Sequence, residues 1–506
     1  MATYDLDRTQ FEGTLPPKID AATRQEILSY LEAHGIYDEA GETATVQINE
    51  YPPVDSGAQI AEFSASDFVV TTTPGLAAVI ALDPHVVLTG TQDVLLASGT
   101  SDDQLSLQDS GNDSVLAGAG NDTVWAGAGH DTIHGGTGND FLIAGTATSQ
   151  LFGDDGNDTI WDDGPGGNLL SGGADDDEIF STASTTNDTV HGGSGNDYIE
   201  DNSGSALIFG DDGADTVYSA TTGSDTVHGG EGADHLVARG TSSNQIFGED
   251  GNDVIIGAGS GANVFVGNGG DDTMHTGTGA DSAYGSSGDD YLVAFGDGQS
   301  LSGNGGADVL FDGTSGSNVL RGGDGSDSLY AGGSGSDTVF GGEGNDFISA
   351  EGGGTHVLNG GVGDDTIYAG GGSATVHGGE GDDHIVSLGS DNALFGGAGS
   401  DTLWAGSGLD TLNGGAGEDL LITGTGDGLM WGGAGNDAFE VAYQIGNSTI
   451  HGGEGDDVVY LDGRAQTDIA GEATVGGVTT ITFTDGQELT FATIETLVFT
   501  DGIKPL

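Results

Sequence analysis

The stretch Gly341-Gly342-Glu343-Gly344-Asn345-Asp346-Phe347-Ile348-Ser349 is the unit that most of this chain repeats. Glycine at three of its first four positions lets the backbone turn tightly with positive φ, so that several carbonyl oxygens can point at one place. Asp346 adds a carboxylate, and carboxylate and carbonyl oxygens are the ligands that Ca²⁺ prefers. The last three residues predict one short strand with Ile348 pointing inward. The unit therefore predicts a calcium-binding turn followed by a strand.

The aspartate of this unit recurs every 18 to 20 residues, which is two nine-residue units per period. Two turns and two short strands per period predict one coil of a right-handed parallel β-roll, so the expected fold class is all-β, a β-solenoid of about nineteen coils. Successive aspartates would then stack on one another. We call this series the main ladder and predict that it binds calcium; it consists of Asp122, Asp140, Asp158, Asp177, Asp197, Asp215, Asp234, Asp253, Asp272, Asp290, Asp308, Asp327, Asp346, Asp365, Asp383, Asp401, Asp419, Asp437 and Asp457.

The intervening units are degenerate, and they define what we call the second edge. Asp113 and Asp131 keep the acid there and are further candidate calcium ligands. Where the acid is lost, asparagine or histidine replaces it or the turn has no clear equivalent, as in residues 146–150, 203–206 and 371–375, so hydrogen bonds within the turn are expected to replace the ion. The sequence therefore predicts one nearly complete calcium ladder and one edge largely without metal. The other acids retained at the second edge are Asp188, Asp225, Asp281, Asp337 and Asp410, and the replacements are Asn168, Asn244, Asn263, Asn318 and His356.

Composition narrows the class of protein. The 506 residues include 81 Asp and Glu against 7 Lys and Arg, a net charge of −74, which argues against binding to nucleic acid or to anionic membranes. There is no cysteine and no 18-residue apolar span, so we expect no disulfide and no transmembrane segment. The first ten residues are polar, so we expect no cleaved signal peptide.

Because each coil buries few apolar side chains while its carboxylates repel one another, calcium is expected to be required for folding.

The two ends differ from the repeats, which gives three predicted domains: an α+β cap at 1–84, the repeat array at 85–460 and a β cap at 461–506. In the first cap, Asp20 is expected to cap a helix that contains Ile27 and Leu28 and stops at Gly35. In the last, a turn is expected at Asp485-Gly486. The predicted strands outside the repeats span residues 44–48, 68–72, 77–82, 86–88, 473–475, 478–483 and 489–498.

Two stretches resemble a known family almost letter for letter. Residues 192–199 read Gly-Gly-Ser-Gly-Asn-Asp-Tyr-Ile and residues 432–439 read Gly-Gly-Ala-Gly-Asn-Asp-Ala-Phe. They resemble the hemolysin-type calcium-binding repeats of RTX (repeats-in-toxin) proteins, and the resemblance extends over about residues 100–460. It implies a parallel β-roll holding multiple Ca²⁺ ions. It also implies export by type I secretion machinery through an uncleaved signal in the C-terminal region, and therefore an extracellular or cell-surface location.

An enzyme is one candidate function. The chain lacks His-Glu-x-x-His and Gly-x-Ser-x-Gly motifs. Asp83-Pro84-His85 superficially resembles a motif of alginate epimerases, but we interpret it as a turn. The paired acids Asp382-Asp383 and Asp456-Asp457 recur in the repeat context and are interpreted as calcium loops rather than a glycosidase pair. The sequence therefore predicts no catalytic site.

Ice binding and a structural role are two further candidate functions. RTX ice-binding domains repeat Thr-Gly-Asn on their loops, whereas the main ladder here has only Thr137-Gly138-Asn139. We therefore favour an extracellular structural, surface-layer or adhesive module, which could associate with itself, a cell surface or polysaccharide. The alternative is a calcium-dependent, non-catalytic part of a polysaccharide-modifying or other exoenzyme system. Outward aromatic residues could form an association stripe or could simply cover their neighbours; they are Trp125, Trp161, Tyr218, Phe311, Tyr330, Tyr368, Trp404 and Tyr460.

Overall fold

The computed structural model describes residues 2–6, 25, 27–28, 44–49, 60–63, 68–71, 78–81, 85–182, 187–202, 204–441 and 447–506. The chain divides into two compact units, Met1–Val254 and Ile255–Leu506. Gln25, Ile27 and Leu28 are helical, and the rest of the predicted N-terminal helix lies outside the described residues. A single 3-10 turn, Gln466–Asp468, is the other helical element of the described chain. No helix in these ranges is long and apolar enough to cross a membrane.

Short strands make up nearly all the regular structure. In the first unit they are β1 (Ala2–Leu6), β2 (Ala44–Asn49), β3 (Ile60–Phe63), β4 (Phe68–Thr71), β5 (Ala78–Ala81), β6 (His85–Thr89), β7 (Leu95–Ala97), β8 (Gln104–Leu107), β9 (Ser114–Ala119), β10 (Thr123–Trp125), β11 (Thr132–Thr137), β12 (Phe141–Ile143), β13 (Gln150–Asp155), β14 (Thr159–Asp162), β15 (Leu169–Ala174), β16 (Glu178–Ser181), β17 (Thr189–Ser194), β18 (Tyr198–Asp201), β19 (Leu207–Asp212), β20 (Thr216–Tyr218), β21 (Thr226–Glu231), β22 (His235–Ala238) and β23 (Gln245–Asp250).

The strand β24 (Val254–Gly257) contains the boundary between the units. The second unit continues with β25 (Val264–Gly269), β26 (Thr273–His275), β27 (Ser282–Ser287), β28 (Tyr291–Ala294), β29 (Ser300–Gly305), β30 (Val309–Asp312), β31 (Val319–Asp324), β32 (Ser328–Ala331), β33 (Thr338–Glu343), β34 (Phe347–Ala350), β35 (His356–Val362), β36 (Thr366–Ala369), β37 (Ala374–Glu380), β38 (His384–Ser387), β39 (Ala393–Ala398), β40 (Thr402–Trp404), β41 (Asp410–Ala416), β42 (Leu420–Thr423), β43 (Gly428–Ala434), β44 (Ala438–Val441), β45 (Ser448–Glu454), β46 (Val458–Leu461), β47 (Ile469–Val475), β48 (Val478–Phe483), β49 (Glu488–Ala492), β50 (Thr496–Phe499) and β51 (Gly502–Pro505).

Consecutive strands of the repeats lie in alternate sheets. In each unit the odd-numbered strands from β3 to β45 pair in parallel in a first sheet, and the even-numbered strands from β4 to β46 pair in parallel in a second sheet. One strand from each sheet makes one coil, which gives a parallel β-solenoid of about 20 turns. The predicted all-β fold class is therefore confirmed, and the predicted number of coils is close to the observed one.

The apolar core between the two sheets is narrow. In the first sheet Leu358 lies opposite Val376, and in the second sheet Ile348 lies opposite Ile367; all four are fully buried. The period-two pattern of the strands puts these residues inside and their neighbours outside. Burying an aliphatic side chain contributes about 1.5–3 kcal/mol, so such a narrow core leaves much of the ordering of each coil to other interactions.

Parallel pairing begins within the segment that the sequence assigns to the N-terminal cap. Strand β2 pairs in parallel with β3, β3 with β5, and β5 with β7, while β4 pairs with β6. Only β1 is antiparallel, against β2. The strands predicted near residues 44–48, 68–72, 77–82 and 86–88 are confirmed as β2, β4, β5 and β6. The domain boundaries themselves remain predictions from the sequence.

The C-terminal segment adds a last coil and covers the sheet edges. Strand β49 pairs in parallel with β45, and β50 pairs in parallel with β46. The antiparallel strands β48 and β51 then lie along the outer edges of β49 and β50, so both of those edges are hydrogen bonded. The predicted turn is confirmed, because the Gly486 N–H donates to the Phe483 carbonyl (3.0 Å).

One predicted strand is wrong. Residues 489–498 form two strands, β49 and β50, which belong to different sheets. The chain turns between them at Thr493, whose φ of 53° lies in the left-handed region. The continuous β-branched and apolar pattern masked this corner, because a solenoid turn can be made by backbone conformation without a glycine.

Candidate metal centre

The main-ladder aspartates occupy equivalent positions at one edge of the solenoid. Asp346, for example, lies in the turn between β33 of the first sheet and β34 of the second. Every member of the main ladder is at most 2% exposed. Asp113 and Asp131 are equally buried, but they lie at the opposite edge, where a second-sheet strand leads into a first-sheet strand. The structure thus separates the two series that the spacing predicts.

One carboxylate oxygen of each main-ladder aspartate is used by the protein. The Asp346 N–H donates to Asp365 Oδ1 (2.8 Å), and the Asp365 N–H donates to Asp383 Oδ1 (2.9 Å). The same bond, at 2.6–3.0 Å, joins successive main-ladder aspartates within each unit. Each aspartate is therefore held in one orientation by the backbone of the coil before it.

In seventeen of the main-ladder aspartates, the other carboxylate oxygen, Oδ2, is buried and has no hydrogen-bond partner among the described residues. A buried carboxylate oxygen without a donor or cation is costly, so such atoms are rare in folded proteins. Here the same orphaned atom recurs coil after coil, which points to a cation. It occurs in Asp122, Asp140, Asp158, Asp177, Asp197, Asp215, Asp234, Asp290, Asp308, Asp327, Asp346, Asp365, Asp383, Asp401, Asp419, Asp437 and Asp457.

A glycine keeps the space beside most of these Oδ2 atoms open, although the equivalent residue before Asp122 is Ala117. A Cβ atom added to Gly341 would lie 2.2 Å from Asp346 Oδ2 and 2.4 Å from the carbonyl oxygen of Gly360 in the next coil. The same crowding recurs at Gly360, where the neighbours are Asp365 Oδ2 (2.1 Å) and the Gly378 carbonyl oxygen (2.7 Å). In these turns a carboxylate and a backbone carbonyl therefore converge from adjacent coils on a place that a glycine leaves free.

The donor set fits calcium. Within the described ranges, no three His, Cys, Asp or Glu side chains are close enough together to bind a metal. Each main-ladder turn instead offers one buried carboxylate together with backbone carbonyl oxygens, which Ca²⁺ accepts as ligands in flexible numbers. Transition metals favour imidazole or thiolate, and the chain has no cysteine. The main-ladder Oδ2 atoms and the facing glycine carbonyls are thus the groups that would hold calcium.

Burial raises the pKa of the main-ladder carboxyl groups. Desolvation is the main cause and raises the pKa of Asp346, Asp365 and Asp383 to about 7, against the lowering effect of the backbone hydrogen bond that each accepts. It raises the pKa of Asp122 and Asp158 to about 8. Neighbouring carboxylates add to the shift, as Asp346 does for Asp365. A bound cation would reverse this preference by stabilising the charged form.

In several turns of the second edge the protein itself satisfies Oδ2. Asp225 Oδ2 accepts the Ala220 N–H and Asp281 Oδ2 accepts the Gly277 N–H, both at 2.8 Å. Asp188 Oδ2 accepts the Ser181 hydroxyl hydrogen (3.0 Å). The candidate ligand Asp131 belongs to this group, because its Oδ2 accepts the Gly127 N–H (3.2 Å). These carboxylates already have the donors that the main-ladder Oδ2 atoms lack.

Asp337 is one exception at the second edge, because its Oδ2 is buried without a hydrogen bond from the described residues, 3.4 Å from His356 Nδ1. Asp113 is another. Its Oδ2 is buried with no hydrogen-bond partner in the described part of the chain, and so are both carboxylate oxygens of the adjacent Asp109. Burial raises the pKa of Asp113 to about 8, and the negative charges of Asp109 and Asp131 contribute to the rise. Of the two second-edge candidates, Asp113 therefore retains the features of a calcium ligand, with Asp109 as its companion.

Sequence reasoning missed several members of both series. Glu495 Oε2 accepts the Asp457 N–H (2.8 Å), so the main ladder continues into the C-terminal coil with a glutamate. At the other end the repeats begin weakly in the sequence near Asp103, whose N–H donates to Asp122 Oδ1 (2.7 Å) and which thus extends the main ladder by one coil. At the second edge, Asn392 accepts the Ala374 N–H (2.9 Å). Its spacing of 18 residues from Asp410 could have found it, whereas nothing local marks Glu495.

These features define a class of protein: a parallel β-solenoid whose turns present oxygen ligands for calcium. The family model described as the RTX calcium-binding nonapeptide repeat (4 copies) matches more than half of the chain, so the chain belongs to this family, as the resemblance implied. No curated protein matches the chain significantly. The family model matches residues 108–142, 134–161, 182–217, 217–240, 240–259, 258–292, 312–348, 331–354, 351–385, 386–421, 404–439 and 445–463.

Proposed function

We propose that this calcium-binding RTX protein is secreted and folds outside the cell when its main ladder takes up Ca²⁺. The observation that supports the proposal is the column of buried Oδ2 atoms without donors. These atoms oppose folding in the absence of a cation. Calcium would supply the charge that they lack and would connect adjacent coils, so its binding free energy would become folding free energy.

The chain's own residues prepare the turns for this step. The backbone N–H of each main-ladder aspartate fixes Oδ1 of the next and thereby directs Oδ2 toward the glycine of its own turn. The glycine excludes side chains from that place. The strands then bring the carbonyl of the following coil beside it, as with Gly360 beside Asp346. A ligand set shared between coils makes the folding of one coil depend on its neighbour.

A secretion route by type I machinery follows as part of the proposal. A chain that stays unfolded at low calcium could pass through a narrow export channel and fold only where calcium is abundant. To test this, the full chain would be expressed in cells with and without a type I apparatus, in medium with millimolar calcium. We expect protein in the medium only with the apparatus. Equal amounts in both cultures, or none in either, would overturn the route.

The extracellular role that we propose is that of a structural, surface-layer or adhesive module rather than an enzyme. Nearly all of the described chain is repeating scaffold, and its net charge of −74 would keep such scaffolds apart unless divalent ions or basic partners join them. Candidate partners are another copy, a cell surface or polysaccharide.

Light scattering and electron microscopy of the full chain test this role. In millimolar calcium we expect assembly, or binding to cells or polysaccharide, that changes with salt concentration. A chain that stays monomeric under all conditions and binds neither cells nor polysaccharide would contradict it. Calcium-dependent turnover of an acidic polysaccharide by the purified chain would contradict the non-enzymatic part of the proposal.

A further inference from the structure

Two clusters of aromatic side chains on the outer face of the second sheet have nearly the same geometry. In the first unit, the ring centroids of Tyr198 and Tyr218 are 5.7 Å apart at 52°, and those of Tyr218 and His235 are 6.2 Å apart at 70°. In the second unit, the Phe347 and Tyr368 centroids are 5.7 Å apart at 48°, and those of Tyr368 and His384 are 6.3 Å apart at 76°. We call these the first-unit cluster and the second-unit cluster.

The clusters also occupy equivalent strand positions. In the first-unit cluster, Glu200 on β18 lies opposite Tyr218 on β20. In the second-unit cluster, Ser349 on β34 lies opposite Tyr368 on β36. The residue that follows the third strand is Arg239 in the first unit, after β22, and Leu388 in the second, after β38. Glu200 therefore corresponds to Ser349, and Arg239 corresponds to Leu388.

In the first-unit cluster an arginine of the same chain covers the tyrosine. The Arg239 guanidinium carbon lies 4.1 Å from the centroid of the Tyr218 ring, and its Nη1 donates to Glu200 Oε1 (2.9 Å). The hydrogen bond from Arg239 is the main reason that the pKa of Glu200 lies below its usual range. The cluster therefore binds one guanidinium between an aromatic face and a carboxylate.

In the second-unit cluster the corresponding place is a groove. Its volume is about 590 Å³, and its lining includes Phe347, Ser349, Glu351, Tyr368 and Leu388. Ser349 is small where Glu200 is large, and Leu388 is 71% exposed. A Cβ atom added to Gly371, also in the lining, would meet nothing within 4 Å. Tyr368 and Glu351 still supply a ring and a carboxylate, and no described Lys or Arg pairs with Glu351.

We propose that this groove binds an arginine side chain of a basic partner peptide, with the guanidinium against Tyr368 and near the Glu351 carboxylate. The chain repeats this recognition elsewhere: Arg464 lies 4.1 Å from the Phe483 ring centroid and pairs with Asp485 (2.9 Å). A net charge of −74 would draw basic segments to the surface. The site is formed by the folded second unit, so it does not depend on the extracellular role proposed above.

Binding of a short peptide to the calcium-loaded full chain tests the proposal. The probe is acetyl-Gly-Arg-Gly-amide, followed by saturation-transfer NMR, beside a control peptide in which citrulline replaces arginine. Citrulline keeps nearly the same shape and loses the charge. We expect the arginine peptide to bind at least about fivefold more tightly, since a stacked cation loses its attraction to ring and carboxylate when neutralised. Equal binding of the two peptides would mean an apolar occupant and would overturn the proposal.

Variants locate the binding. Leu388→Arg would place a guanidinium in the groove, as Arg239 does in the first unit, and should abolish peptide binding. Leu409→Arg is the matched control, since it adds the same charge at a 65% exposed leucine outside the groove lining and should leave binding unchanged. Arg239→Leu should uncover the first-unit cluster and add a second binding site. Circular dichroism in calcium confirms that each variant is folded. Equal peptide affinity in Leu388→Arg and Leu409→Arg would exclude the groove.

Discussion

The two edges of the solenoid use the same aspartate in different ways. Asp365 in the main ladder and Asp281 at the second edge each accept a backbone N–H from the preceding coil through Oδ1 (2.8 and 2.7 Å). Asp281 Oδ2 accepts a further N–H from Gly277, whereas Asp365 Oδ2 has no partner among the described residues. The two turns thus differ by one backbone N–H. Where it is present, both carboxylate oxygens are hydrogen bonded within the protein, and where it is absent, Oδ2 needs a cation.

Replacement by asparagine follows the same difference. At the second edge, Asn244 accepts the Asp225 N–H through its side-chain oxygen (2.9 Å), and Asn168 Nδ2 also donates to Asp162 Oδ2 (2.7 Å). A turn without metal needs only an acceptor at this position, which asparagine provides. The main ladder keeps aspartate at every position from Asp122 to Asp457, where the carboxylate charge would balance that of the cation.

Removal of calcium should have the largest effect on folding, because the main-ladder turns need a cation and several second-edge turns do not. With chelator at pH 7.5, we expect the strand signal in circular dichroism to be lost, because the main-ladder Oδ2 atoms would be buried without a counter-charge. Calcium at roughly 10⁻⁴–10⁻³ M, as for extracellular modules, should restore it. A chelated protein that keeps its spectrum and its melting temperature would show that both edges are complete without metal.

Acid should partly replace calcium. Burial raises the folded pKa of Asp122, Asp365 and Asp437 to about 8, 7 and 6, above the ordinary value of 3.8. A raised pKa means that protonation favours the folded state, so this contribution is complete below about pH 3.8 and is lost as the pH rises through 6 to 8.

The measurement is a melting temperature as a function of pH in calcium-free buffer and in millimolar calcium. Without calcium, the folded state should gain stability as the pH falls from 8 to 4. With millimolar calcium, stability should be nearly independent of pH from 8 to about 5, because the bound ion keeps Oδ2 deprotonated, so the stabilisation that calcium adds should shrink as the pH falls. Parallel slopes in the two buffers would contradict the assignment of these carboxylates as ligands.

A methyl group tests the crowding beside a main-ladder Oδ2. In Gly341→Ala the new Cβ would lie 2.2 Å from Asp346 Oδ2, so we expect a loss of about 1–3 kcal/mol in folding free energy, and weaker calcium binding. Gly371→Ala, in a second-edge turn with open space around the added atom, is the matched control and should stay within about 0.5 kcal/mol. Denaturation in calcium measures both, and similar losses would contradict the crowding at the main ladder.

Neutralising a single carboxylate changes the fewest atoms and gives the sharpest test. Asp365→Asn keeps the acceptor for the Asp346 N–H and removes the charge. In calcium we expect fewer bound ions and a free energy of unfolding that is lower by about 1–3 kcal/mol. In chelator we expect the free energy of unfolding to rise, because the variant no longer buries a charge that repels its neighbours.

Asp281→Asn is the control at the second edge, where its carboxylate already has two backbone donors. It should leave the calcium stoichiometry unchanged. Equal loss of calcium in the two variants, measured by titration, would mean that the second edge also binds the ion.

The sequence alone determined the fold class and the identity of the main ladder. A spacing of 18 to 20 residues between aspartates such as Asp346 and Asp365 allows only a two-strand coil, and the inward Ile348 and Ile367 follow from a period of two. These features are local and repeat many times, so a departure from the pattern in one coil does not obscure them.

The tertiary structure decided what the repeats could not encode. Glu495 joins the main ladder only because β49 and β50 return to form a last coil, and no local pattern marks that position. Whether Oδ2 of a second-edge carboxylate is hydrogen bonded depends on a donor such as the Gly277 N–H, and the folded turn sets the direction of that donor. The groove at Tyr368 likewise depends on Leu388, two coils away from Ser349. The spacing along the chain determines which residues occupy equivalent positions in successive coils. Only the folded structure determines which polar atoms are left without a hydrogen-bond partner and are therefore available to a ligand.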